Sequence, residues 1–231
     1  GNRAMTSRCG SADILEALGV KIDLSAEGVA KCLEEVGIGF MFAPLFHPAM
    51  KHAGAPRREI GIRTVFNILG PLTNPARAEF QVIGVPSREL GEKMALALHR
   101  LGTKHSLVVH GTDGMDEITI TEKSLVWEVN KNGVLPAYEV SPQYFGFHEA
   151  SSTEIKGGTP EDNARMLRRV LSGEDRGPRR DVSVMNAAAA LVAGNKASDL
   201  KEGARLAEKA IDEGQVLKKL EGLVKLSQSL C

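Results

Sequence analysis

Between Phe80 and Val109 the chain carries two short apolar runs, Phe80–Val85 (FQVIGV) and Ser106–Val109 (SLVV). They are joined by Glu89–Leu101, whose Leu90, Met94, Leu98 and Leu101 recur at helical spacing. Strand, helix, strand in that order constrains the fold more than any other feature here, because a helical crossover lets two strands lie side by side and parallel. The order predicts an α/β fold: a mostly parallel central sheet flanked by helices, with functional loops beyond the carboxyl ends of the strands. Ile118–Thr121 and Leu125–Asn130, split by a polar turn, predict a hairpin-like excursion.

The flanking sequence is mostly helical in pattern. Ser11–Leu18 opens with a serine placed to cap and sets Ile14, Leu15 and Leu18 on one face before Gly19. Ser25–Val36 repeats the device with Glu27 in the first turn and Gly37 as the stop. Gly39–Pro44 (GFMFAP) reads as a buried strand ending in proline. Thr159-Pro160-Glu161-Asp162 starts a helix with a hydroxyl cap, proline in the first turn and acids facing the dipole. Met185–Val192 (MNAAAALV) reads as a buried helix, and Leu200–Leu226 as an amphipathic one interrupted at Gly214. The whole chain, 1–231, is expected to form one α/β domain, with residues 47–75 adding to part of a smaller helical domain that covers the site.

Composition excludes several classes of function. Lys plus Arg number 29 and Asp plus Glu number 29, and aromatic residues are only 4%, so no whole-molecule field draws the protein to nucleic acid or anionic lipid. A small phosphorylated ligand stays compatible with zero net charge, since a local cluster of donors holds one. Cys9, Cys32 and Cys231 lack metal-ligand or disulfide-framework spacing, which fits a reducing compartment such as the cytoplasm. No apolar run approaches the ~20 residues a bilayer span needs. Gly1-Asn2-Arg3-Ala4 is neither an initiator methionine nor a signal peptide, and reads as the middle of a longer chain.

Three stretches carry chemistry. Gly1–Ser11 holds two arginines, three hydroxyls and two glycines and leads into a helix amino end, where amide donors and the dipole favour a phosphate; the same residues also fit a polar loop in which Ser11 only caps. Asp113-Gly-Met-Asp116-Glu117 follows the strand Leu107–His110, placing carboxylates where Mg²⁺ takes one or two protein oxygens and leaves the rest of its octahedron to phosphate and water. A solvated Asp-Gly turn accounts for those residues equally well. His47-Pro-Ala-Met-Lys-His52 and Arg57-Arg58 gather basic groups, and an arginine fork suits a carboxylate. Gly70-Pro71 either admits close backbone approach to a ligand or forms a rigid connector.

Five stretches, GNRAMTSRCGSADILEALG, FHPAMKHAGAPRREIGIRTVFNILGPLTNPA, VVHGTDGMDE, GGTPEDNARMLRRVLSG and VMNAAAALVAG, resemble in order the anthranilate phosphoribosyltransferase family, over essentially the whole chain. The resemblance implies transfer of a phosphoribosyl group from phosphoribosyl pyrophosphate to the amine of anthranilate in tryptophan biosynthesis, with Mg²⁺. It assigns phosphoribosyl pyrophosphate to Gly1, Asn2, Arg3, Ala4, Met5, Thr6, Ser7 and Ser11, with Met5 and Thr6 standing where the family usually has Val and Ser. It assigns anthranilate to Asn2, His47, Arg57, Gly70 and Pro71, with Arg57 on the carboxylate and Asn2 on the amine, and Mg²⁺ to Asp116 and Glu117. No protein nucleophile is implied. A homodimer is implied for the full-length protein, with no membrane or nucleic-acid partner, in the cytoplasm or, for a plant or alga, the plastid stroma.

Family motifs that precede the position of Gly1, a GTGGD loop, an Asn-Ser-Thr turn and a Lys-His pair, have no counterpart within these residues. The expectation is therefore a carboxyl-terminal two thirds with little or no turnover as an isolated polypeptide. A pyrimidine-nucleoside phosphorylase shares the fold but would replace the arginine and the HPAM stretch. A noncatalytic nucleic-acid-binding relative would not retain Asn2, Arg57, Asp116 and Glu117.

Overall fold

The computed structural model describes residues 1–4, 8–47 and 70–230. In chain order the elements are α1 (Ser11–Ala17), α2 (Ala26–Glu35), α3 (Ala43–Phe46), β1 (Phe80–Gly84), α4 (Arg88–Arg100), β2 (His105–Gly111), β3 (Ser124–Asn130), β4 (Gly133–Val134), β5 (Tyr138–Val140), α5 (Pro142–Phe145), α6 (Pro160–Leu171), α7 (Pro178–Ala193), α8 (Leu200–Asp212) and α9 (Gln215–Ser229). They fall into two compact units, one from Gly1–Thr64, Gly157–Asp175 and Ile211–Cys231, the other from Val65–Lys156 and Arg176–Ala210.

Among its described residues the first unit has helices and no strand. α1 packs on α6, and α9 lies against α2 and α6, burying Ala12, Leu18, Val29, Cys32, Ala164, Leu220 and Leu223. The α6 start follows its sequence: the Thr159 hydroxyl accepts from the Asp162 amide, the Asp162 carboxylate accepts from the Thr159 amide, and Pro160 occupies the first turn. Ser25 caps α2 by accepting from the Gly28 amide at 3.2 Å. Gly214, left-handed at φ 68°, separates α8 from α9.

Two expectations change here. Ser11 does not cap α1: Gly10 is the cap, and Asp13 reaches back to accept from the Gly10 amide at 2.9 Å. Gly39–Pro44 is not a strand. Pro44, lacking an N–H, suits the first turn of α3, and the Ala43 amide donates to the Gly1 carbonyl at 2.8 Å.

The second unit holds a five-stranded sheet of order β1-β2-β3-β4, with β5 also pairing β3. β1 and β2 are parallel, from Phe80↔His105 to Gly84↔Val109, as the crossover through α4 requires. The expected mostly parallel sheet is overturned, since the β2/β3, β3/β4 and β3/β5 pairs are all antiparallel. After Gly111 the chain turns back through a loop rather than a helix, so β3 returns beside β2 in the opposite sense. Ile118–Thr121 is loop, not strand, and the partner of β3 in the excursion is β2. Leu101 lies past the end of α4, largely exposed.

α4 covers one sheet face with Met94, Ala95 and Leu98, against Ile83, Val108, Trp127 and Val129. Side chains alternate along a strand, so Leu107 and Val109, both fully buried, point to the other face. There α7 packs on β1 and β2, burying Val184, Met185, Ala188 and Ala189 as expected of the alanine-rich run. No helix among the described residues is long and apolar enough to cross a membrane.

Candidate active site

Gly111 and Ser124 are register partners, so the segment between them leaves and re-enters the sheet at one place, the carboxyl end of β2. Its shape is fixed from within. The Gly111 amide donates to the Met115 carbonyl at 2.8 Å, and the Gly114 amide to the Gly111 carbonyl at 2.9 Å. Asp113 accepts from the Met115 amide at 3.0 Å, from the Thr119 hydroxyl at 2.6 Å and from the Thr121 hydroxyl. Ile118 and Ile120, fully buried, peg the loop into the core. From α7, Asn186 accepts from the Ile118 amide at 2.9 Å and donates to the Ile118 carbonyl at 2.8 Å. From β1, Gly84 comes so close that a Cβ there would overlap the Asp116 carbonyl.

This bracing divides the three loop carboxylates. Burial tends to raise the Asp113 carboxyl, but the Thr119 and Thr121 hydroxyls and the Met115 amide outweigh it and hold the group below the usual carboxylate range. Asp113 therefore holds the turn, with both of its oxygens accepting hydrogen bonds from the loop. Asp116 and Glu117 have no hydrogen-bond or ion-pair partner among the described residues. The Glu117 side chain reaches solvent, yet enough protein surrounds it that desolvation, then the charges of Asp116 and Asp113, push its carboxyl up. Two adjacent, unpaired, mutually repelling carboxylates form a donor set that a hard divalent cation relieves. The described residues contain no group of three His, Cys, Asp or Glu able to cage a metal alone. Mg²⁺ takes one or two protein carboxylates and keeps water and substrate phosphate among its other ligands.

Gly70 and Pro71 belong to the same unit as the acidic loop. They are exposed and helical, in a stretch whose described end, residues 70–72, closes where the Gly70 carbonyl accepts from the Thr73 amide at 3.2 Å; the space where a Gly70 Cβ would stand is open.

Gly1, Asn2, Arg3, Ala4, Ser11 and His47 belong to the other unit. The Asn2 amide donates to the Ser11 hydroxyl at 3.2 Å, and the Ala12 amide donates to the Asn2 carbonyl at 3.0 Å, which ties the opening segment to the first turn of α1. Arg3 pairs with Asp13 at 3.3 Å and with Glu16, and its guanidinium lies 5.6 Å from the centre of the Phe42 ring. Asp13 also accepts from the Ala4 amide at 2.8 Å. The Arg3 guanidinium and the Asn2, Arg3, Ala4, Gly10 and Ala12 amides are thus engaged internally, while the exposed Asn2 side-chain amide nitrogen has no partner among the described residues. His47 ends α3, its amide donating to the Ala43 carbonyl at 2.9 Å. Met5, Thr6, Ser7 and Arg57 lie outside the described residues.

The Asp13 bonds carry a prediction. The Ala4 amide first, then the Gly10 amide and the Arg3 guanidinium, depress its carboxyl below the ordinary 3.8. Because the folded value is the lower one, the stability Asp13 contributes is complete above the ordinary range and disappears as pH falls through the folded value. A carbon-detected NMR titration should place its midpoint below 3.8; a midpoint at or above that figure would mean the two amides do not sit on Asp13.

Sequence reading missed Gly84, Asn186 and the turn-holding role of Asp113. The signal for Asn186 was present: it is a lone polar side chain near the start of an otherwise apolar MNAAAALV run.

Residues 1–217 match the glycosyl transferase family, a/b domain. An anthranilate phosphoribosyltransferase from Chloroflexus aggregans is 57% identical over 228 residues, covering 99% of this chain and 67% of the relative. The crystal structure of the enzyme from Thermus thermophilus is 47% identical with a TM-score of 0.92, over 99% of this chain and 67% of that one. The Saccharomyces cerevisiae enzyme, in complex with phosphoribosyl pyrophosphate and Mg, is 32% identical with a TM-score of 0.90, over 100% of this chain and 64% of that one. The chain thus spans about two thirds of the length of these relatives. Identity at this level along nearly its full length, on the same backbone course, means that the chain belongs to the anthranilate phosphoribosyltransferase family of glycosyltransferases.

Proposed function

We propose that this chain transfers the phosphoribosyl group of phosphoribosyl pyrophosphate to the amine of anthranilate, the step its family performs in tryptophan biosynthesis, and that Asp116 and Glu117 hold the Mg²⁺ the reaction uses. The observation that carries the metal assignment is the contrast within one loop: both Asp113 oxygens accept hydrogen bonds from the loop, while the next two carboxylates, on a braced backbone, have no partner of their own among the described residues. Magnesium bound there would offset the negative charge growing on the departing pyrophosphate.

The protein's remaining task is placement. An aryl amine is already a nucleophile, so the chain needs no nucleophile or base of its own to attack the anomeric carbon; it must hold the amine in line with the leaving group. Asn2 is anchored through its backbone to α1 and through its side-chain oxygen to the Arg3 amide, leaving its side-chain nitrogen to meet anthranilate and the phosphoribosyl group. Gly1–Ser7 and Ser11 bind phosphoribosyl pyrophosphate, and Arg57 takes the anthranilate carboxylate in a two-point contact, with His47, Gly70 and Pro71 beside the aromatic ring.

Replacing Arg57 by alanine tests the anthranilate half. A charge-assisted contact contributes about 1.5–3 kcal/mol, so the anthranilate KM of the full-length enzyme should rise about tenfold to 150-fold, with little change in the KM for phosphoribosyl pyrophosphate. Equal losses for both substrates would remove Arg57 from the carboxylate site.

A further inference from the structure

Asn186 sits on α7 with its carboxamide laid along Ile118, the residue that follows Asp116-Glu117. Its Oδ1 accepts from the Ile118 amide at 2.9 Å; its Nδ2 donates to the Ile118 carbonyl at 2.8 Å and to the Val182 carbonyl at 2.9 Å. Every atom of the carboxamide that can bond is committed, and the arrangement has one orientation. Turning the amide over would face its NH₂ to an N–H and its oxygen to two carbonyls. The side chain thus gives Ile118 the two bonds a neighbouring strand would give, at a point where the sheet provides none. The bond to Val182, one turn back on α7, fixes the clamp to a helix buried against β1 and β2.

We propose that Asn186 is a positioning residue that sets the magnesium affinity of the acidic loop, holding Asp116 and Glu117 together against their own repulsion before the cation arrives. The proposal rests on the reading of those two acids as the magnesium pair. Without the clamp, the Ile118 backbone on the carboxyl side of Glu117 loses both of its bonds and is held only by its buried side chain, so the two like charges relax apart at less cost. The cation must then supply the work of gathering them. Outer-shell partners of metal ligands commonly change affinity by about 10–100-fold, and that is the size of effect assigned to Asn186.

The test uses the full-length enzyme and Mn²⁺ as the probe. Mn²⁺ binding is measured by electron paramagnetic resonance with phosphoribosyl pyrophosphate present and anthranilate absent, for wild type, Asn186→Ala, Asn186→Asp and the double variant Asp116→Asn with Glu117→Gln. Amide exchange is followed in the metal-free proteins. The expected result is a rise of about 10–100-fold in the Mn²⁺ midpoint for both Asn186 variants. Protection should be lost at Ile118 and its loop neighbours only, and turnover should recover at saturating Mg²⁺. Midpoints unchanged in both variants, with Ile118 exposed to exchange, would overturn the proposal while leaving the acids as ligands. Protection lost uniformly across the unit in both variants would assign Asn186 to the core and overturn it as well. If the double acid variant binds Mn²⁺ as wild type does, the magnesium pair itself is wrong and the proposal falls with it, an outcome read without reference to the Asn186 variants.

Discussion

In the full-length enzyme, Asp116→Asn combined with Glu117→Gln is expected to lower magnesium-dependent turnover by at least about 10³-fold, equivalent to about 4 kcal/mol of lost transition-state stabilisation. The amides keep the shape of the loop, so the loss would report charge and not folding. The wild-type electrostatics sharpen the point. The Glu117 carboxyl is pushed up by desolvation and then by Asp116 and Asp113, so its ionised form is disfavoured in the folded, metal-free protein. Stability linked to its proton is full below the ordinary 4.5 and is lost as pH rises through the folded value. An amide at this position removes that penalty. The double variant should therefore be as stable as wild type at neutral pH, or more stable, while nearly inactive. Assay against Mg²⁺ concentration, alongside thermal unfolding without metal, checks both halves. A variant that keeps wild-type turnover, or one that loses activity only because it melts, contradicts the assignment.

The second large effect comes from a residue without a side chain. Gly84→Ala puts a Cβ where the Asp116 carbonyl already lies, and the obstruction is backbone, not the movable end of a side chain. β1 is held by its parallel ladder to β2, so the loop must yield. Overpacking typically costs about 1–3 kcal/mol and more where nothing can relax; against rigid backbone we expect about 3 kcal/mol, or a melting temperature about 6–12 °C lower for a chain of this size. Magnesium-dependent turnover at temperatures where the variant stays folded should fall about tenfold or more, because Asp116 is the residue displaced. Thermal melts and magnesium titrations of the same preparation separate the two effects. A variant with unchanged melting temperature would show that β1 and the loop do not meet as described.

The two residues differ in how visible they are from sequence. Asp116 and Glu117 stand out in the sequence as neighbouring acids after an apolar strand, a pattern that a solvated turn explains equally well. Gly84 and Asn186 do not, because each acquires its role from a partner far along the chain. The fold shows the same division. The β1-α4-β2 unit was legible because each piece carries its own period, and a helical crossover fixes strand direction. The direction of β3 was not, because an alternating pattern is the same read either way along a sheet. Ile118–Thr121 shows how a correct burial pattern can give a wrong element. Ile118 and Ile120 are buried in the core and the Thr119 and Thr121 hydroxyls both meet Asp113, an alternation of partners like that of a strand. Their bonding partners, however, are mostly side chains, Asn186 for Ile118, Ser124 for the Thr119 amide and Asp113 for the threonine hydroxyls, and the one backbone partner among the described residues, the Ala150 amide on the Ile120 carbonyl, is not on a strand. Likewise Phe40, Met41 and Phe42, read as part of a buried strand, are partly buried against the helical core, and their stretch exchanges backbone bonds with Gly1 instead of joining a sheet.

The divalent cation is expected to sit on Asp116 and Glu117 when the sugar pyrophosphate is bound. A crystal of the full-length enzyme grown with phosphoribosyl pyrophosphate and Mn²⁺, with data collected at the manganese edge, locates the ion without reference to turnover. We predict an anomalous peak within about 2.0–2.6 Å of carboxylate oxygens of both Asp116 and Glu117, the range over which oxygen ligates such cations, with a pyrophosphate oxygen on the same ion. Bound substrate with manganese elsewhere, and neither acid in contact with an ion, would contradict it.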